Sequence, residues 1–127
     1  MTIPKLVRIR RNKSGIIQDC DVYIGRAINQ GGWHLTKSKW HNPFKVSEYG
    51  SVEKVCQLYY QYIINSDLFH DIPELQSKTL GCWCNPPKNK SKNGEYYCHG
   101  CVLIDLYKLL AKNNFDTHAV QKQLLEK

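Results

Sequence analysis

Polar and apolar positions alternate from Lys5 to Arg10. Leu6, Arg8 and Arg10 fall on one side and Val7 and Ile9 on the other, which predicts a β-strand that sets arginines next to one another. Turn residues follow at Asn12 to Gly15, and CDVYIG at Cys20 to Gly25 is rich in strand formers. The first 25 residues therefore read as a hairpin or two adjacent strands. From Arg26 to Gly50 the periodicity breaks. Gly31-Gly32, Asn42-Pro43 and several aromatics predict an ordered irregular loop, longer than most connections and of the kind that carries function.

Helical periodicity begins after Ser51, a good N-cap. Val52, Val55, Cys56, Tyr59, Tyr62 and Ile63 mark the apolar face of a helix over Val52 to Asn65, with Cys56 as a core residue. Asp67 to Ser77 reads as a connection with a helical turn near Ile72 to Leu75. Lys78 to Trp83 reads as a short buried strand that delivers Cys82 and Cys84 at its end. A second helix spans Cys101 to Lys112, with Val102, Leu103, Leu106, Leu109 and Leu110 on its apolar side and Cys98 and His99 at its start. A weaker one covers Asp116 to Glu126. The elements predict an α/β fold: a single small domain, residues 1–127, with a short sheet flanked by two or three helices. Residues 113–127 form a C-terminal helical extension.

Composition agrees with one ordinary core: 127 residues, 42% apolar. No apolar run reaches the ~20 residues that span a bilayer, and MTIPKLVRIRR lacks a secretory pattern, so the expectation is an intracellular protein with no membrane partner. In a reducing compartment six cysteines point to metal binding, catalysis or packing before disulfides. The net charge of +7 is uneven. Lys5, Arg8, Arg10, Arg11 and Lys13 precede any acidic residue, and Lys88, Lys90 and Lys92 crowd one loop. The expected partner is an anion, nucleic acid or nucleotide phosphate; the alternative is a solvated basic surface.

The chemistry concentrates between Gly81 and Cys101, where four cysteines and a histidine fall within 21 residues. Thiolate and imidazole are the ligands zinc prefers, and Cys82, Cys84, Cys98, His99 and Cys101 supply them. One residue between Cys82 and Cys84 would send their side chains to opposite faces of a strand, a conflict that a turn at Asn85-Pro86 resolves. The alternative is a thiol–imidazole site in which Cys98, at a helix start beside His99, acts as a nucleophile and His99 or Asp21 handles protons. A third possibility is that the cysteines only pack. Lys39, Trp40 and Asn42 form a second candidate, as phosphate ligand, stacking platform and base-edge reader. Equally, Trp40 and Phe44 plug the core while Asn42 caps a turn. Arg26 follows a strand end, where ligands of α/β sheets collect. His34, His41, His70 and His118 read as ordinary residues. No Ser/His/Asp set, P-loop or paired carboxylates appear.

VYIGR (Val22 to Arg26), SKWHNPF (Ser38 to Phe44), the helix after it, LGCWCNP (Leu80 to Pro86) and CHGCVL (Cys98 to Leu103) in this order resemble the phage, bacterial and large-DNA-virus family known as domain of unknown function 4326, over about residues 5–110. The resemblance implies a compact α/β domain. Its signature would map onto Trp40, Asn42, Pro43, Phe44, Cys82, Trp83, Cys84, Cys98 and His99. A four-ligand family site would be Cys82, Cys84, Cys98 and His99, with Cys101 as an extra or replacement. Two features depart from the family pattern: the longer Cys84–Cys98 loop, and cysteine at position 101, which is often acidic. The family carries no established reaction. The expected function is thus an intracellular, viral or phage-type domain that binds a nucleotide or nucleic acid and holds zinc on its Cys/His cluster. The alternatives are a thiol- or metal-dependent enzyme acting on a nucleotide or modified base, and a viral interaction protein with a structural cysteine cluster.

Overall fold

The central strand of the main sheet is the last in chain order among the described strands. β1 (Lys5–Arg8) and β4 (Val22–Tyr23) both pair in parallel with β5 (Thr79–Cys82), giving the order β1-β5-β4. The computed structural model describes residues 3–83 and 98–126; Cys84 and the lysines at 88, 90 and 92 lie outside them. Parallel strands need crossover connections, and the long segment between β4 and β5 supplies one. It carries α1 (Val46–Tyr49), α2 (Val52–Ile64) and a 3-10 helix (Asp67–Leu75).

The first 25 residues differ from the predicted strands. The strand ends at Arg8, and Arg10 opens a separate antiparallel hairpin, β2 (Arg10–Asn12) with β3 (Gly15–Gln18). Β1 and β4 are not neighbours, because β5 lies between them. The reason is burial on both faces. Leu80 and Cys82 of β5 point into the helical core, while Gly81 points the other way, against Cys20 and Ile9. A strand covered on both sides takes the centre of a parallel sheet. Any Cβ at position 81 would overlap the Cys20 sulfur, which explains the glycine.

Ser51 caps α2 by accepting a hydrogen bond from Lys54 N at 3.1 Å, and Val55, Cys56, Tyr59, Ile63 and Ile64 are buried along one face. Each such side chain contributes roughly 1.5–3 kcal/mol of burial free energy. Gly50 ends α1 in the left-handed region (φ 95°). In the 3-10 helix Phe69, Ile72 and Leu75 are buried, and Pro73 lacks the N–H a continuous α-helix would use. After β5, α3 (His99–Lys112) packs Val102, Leu103, Leu106, Tyr107 and Leu110 into the same core. α4 (Thr117–Leu125), capped by Asp116, adds Val120. Gly100 lets α3 start close to the sheet: a Cβ there would lie 2.6 Å from a Leu6 methyl and 2.9 Å from an Ile24 methyl. No described helix is long and apolar enough to cross a membrane.

Candidate functional site

The carboxyl ends of β4 and β5 meet the start of α3, and the side chains that the sequence marked for chemistry gather there. Ile24 N–H donates to Gly81 O at 3.0 Å, extending the pairing just past β4. On the next carbonyl, Ile24 O, the His99 Nε2–H donates at 2.7 Å, which fixes the proton on Nε2. The His99 ring meets Tyr59 edge-on, centroids 4.8 Å apart, and the Tyr59 hydroxyl donates to Trp40 O at 2.7 Å. Burial pushes the Tyr59 phenol well above its ordinary range.

Cys98 is the N-cap of α3. Its sulfur accepts from Gly100 N at 3.4 Å and lies 3.5 Å from the Cys82 sulfur. Two thiolates sharing a tetrahedral zinc at the usual ~2.3 Å would stand about 3.8 Å apart, so this pair fits one edge of such a site. Among the described residues, no three of Cys, His, Asp or Glu converge to hold a metal ion. His99 is turned to the Ile24 carbonyl, Cys101 is half-buried one turn further along α3, and Cys84 lies outside the described residues. Asp21 is not part of the group. It sits at the opposite end of β4, where its Oδ2 accepts from Thr79 N at 2.8 Å.

The loop from Ser38 to Phe44 braces the site from behind. Trp40 is 1% exposed, so its ring offers no face for a base to stack on. Asn42 is spent internally: its amide donates to Val55 O at 3.2 Å and its Oδ1 accepts from Phe44 N at 3.0 Å. Arg26 donates to Asn42 O at 2.9 Å and to Phe44 O at 3.2 Å, tying the loop to the end of β4. Lys39 pairs with Glu74 at 2.6 Å and Asp71 at 3.2 Å, and the bond to Glu74 foremost holds its pKa above the ordinary lysine value. The outlying histidines have local partners, His34 with Asn29, His41 with Ser38 O and His70 with Thr117, and His118 stacks on His70.

What this brace frames is a cleft of about 500 Å³. Its lining includes the buried Val55, Cys56 and Cys98 and the more exposed Tyr23, Arg26, Phe44, Lys45, Val46, Trp83 and His99. Trp83 is 40% exposed and firmly held. Its indole N–H donates to the Tyr23 hydroxyl at 2.9 Å, which in turn donates to Arg26 O at 2.7 Å. Tyr23 and Trp33 pack edge-on against it, at 6.3 and 5.7 Å. Burial foremost raises the Tyr23 pKa. Motifs alone did not mark Trp83, Tyr23 and Lys45 as lining a cleft. The signal was position: Trp83 follows Cys82 at the carboxyl end of a central parallel strand, where ligands of open α/β sheets collect.

Fold and site together define a small α/β domain with a cysteine-lined cleft at the carboxyl edge of a parallel sheet. The chain belongs to the family described as Domain of unknown function (DUF4326), whose profile matches residues 7–109. It is similar to the uncharacterized protein R718 of Acanthamoeba polyphaga mimivirus, 64% identical over 124 residues, which is 98% of this chain and 95% of that protein. The family link to large DNA viruses thus has a viral relative behind it. No solved structure matches the chain.

Proposed function

We propose that the domain binds a nucleoside phosphate in this cleft, with the base against Trp83 and the phosphate toward Lys45 and the start of α3. The observation that carries this reading is the exposed indole of Trp83, immobilised by Tyr23 and Trp33 beside a cleft of small-molecule size. A rigid aromatic face stacks a base at little entropic cost. Arg26 and Lys45 bring positive charge to the lining, and helix N-termini favour anions. Calorimetric titration with the four nucleoside monophosphates and with ribose 5-phosphate tests it. The base-bearing ligands should bind and ribose 5-phosphate should bind at least tenfold more weakly; equal affinities would remove the stacking role.

A second reading concerns the cysteines and is favoured by the 3.5 Å sulfur pair. Cys82 and Cys98, with Cys84 as a further ligand and His99 or Cys101 completing the set, would hold a structural zinc. Bound there, zinc would fix the end of β5 to the start of α3 and so preserve the cleft's shape.

A further inference from the structure

We infer that the β2–β3 hairpin is a second binding surface, separate from the cleft, and that its partner is double-stranded DNA held mainly through the phosphate backbone. Residues 5–18 carry five cations, Lys5, Arg8, Arg10, Arg11 and Lys13, and no carboxylate. Among the described residues none of the five lies within ion-pair distance of an acidic group; the ion pairs formed belong to Lys39. Arg8, Arg10 and Lys13 are exposed. Such a concentration of uncompensated charge raises the local concentration of a polyanion.

The shape narrows the class. The hairpin is its own two-stranded sheet, and none of residues 10–18 joins the buried core. Its root is fixed, because Arg11 donates to Gly32 O and lies over the Trp33 ring at 5.7 Å. A rigid two-stranded ribbon is the β-element that the major groove of B-form DNA admits, whereas the deep, narrow groove of A-form RNA excludes side chains. Single strands are recognised by stacking on aromatic rings, and residues 10–18 contain none. Instead the hairpin exposes Ile16 (51%) and Ile17 (53%), with a register shift opposite them between Arg10 and Arg11. Exposed aliphatic side chains on a ribbon suit apolar contact with thymine methyl groups.

The test is fluorescence anisotropy of the full chain with a 20-base-pair DNA duplex, the same sequence as an RNA duplex, and its single strands. Two triple variants remove equal charge: Arg8→Gln/Arg10→Gln/Lys13→Gln on the hairpin and the end of β1 that leads into it, and Lys108→Gln/Lys112→Gln/Lys122→Gln on α3 and α4. The hairpin variant should bind duplex DNA about tenfold or more weakly and flatten the slope of log affinity against log salt by about 2–3. The control should retain wild-type affinity, and excess nucleoside monophosphate should not compete with the duplex, which separates this surface from the cleft. Equal loss in both triples would show diffuse charge attraction and overturn the assignment. So would tighter binding of RNA duplex or single strands, or binding confined to anionic lipid vesicles.

Discussion

The sulfurs of Cys82 and Cys98 lie 3.5 Å apart although sixteen positions separate the residues, so the end of β5 and the N-cap of α3 meet side chain to side chain. If zinc uses this pair, protein purified without added metal should contain about one zinc per chain. Cys98→Ser should then lose the metal and several kcal/mol of stability, because binding and folding are coupled. Elemental analysis checks both. Absence of metal from fresh, reduced protein would contradict the zinc reading.

Thiol reactivity should be uneven. Burial first, then the nearby carboxylates of Asp19 and Asp21, push the Cys20 thiol above its ordinary value. A raised pKa leaves less thiolate at neutral pH, so Cys20 should be alkylated slowly at pH 8 and speed up only under alkaline conditions. Asp19→Asn should accelerate it by removing one of the two anions. Cys98 divides the two site readings. An activated nucleophile would react fast at pH 6, and a zinc-bound sulfur only after a chelator is added. Peptide mapping after timed alkylation reads both cysteines together.

Tyr59 ties stability to alkaline pH. Its phenol is buried and donates to Trp40 O, so its folded pKa lies well above the unfolded value of about 10. The neutral form is the one the fold favours. This contribution is therefore complete below about pH 10 and is lost as pH rises from there toward the folded pKa. Tyr59→Phe should cost about 1–3 kcal/mol at pH 7, because it strips the Trp40 carbonyl of its partner. The variant should also lose less stability than wild type between pH 9 and 11. Some loss should remain, since Tyr23 and Tyr60 are shifted in the same direction. Urea midpoints at three pH values measure it.

Local chemistry was legible in the sequence wherever one element decides it. Ser51 and Asp116 cap helices as their residue types predict, and the apolar faces of α2 and α3 follow the helical period. Pairing was not legible, because nothing in residues 5–25 tells that β5, more than 50 positions later, separates β1 from β4. The same limit governed the site. Lys39 and Trp40 carry suitable groups for a ligand, but Glu74 and Asp71, brought near by the 3-10 helix, engage the lysine and the core engulfs the ring. Trp83 stands in the family signature, which assigns it no role. Its role as a cleft wall depends on Tyr23 and Trp33, each at least fifty positions away.

The central claim is that Trp83 is the face on which a base stacks, and nucleoside monophosphate affinity in wild type and Trp83→Ala tests it most directly. Base–aromatic stacking of about 1–3 kcal/mol corresponds to a loss of roughly 5- to 150-fold. The account predicts a loss in that range with ribose 5-phosphate affinity unchanged, in a variant shown by circular dichroism to remain folded. Unchanged nucleotide affinity in a folded Trp83→Ala protein would contradict it.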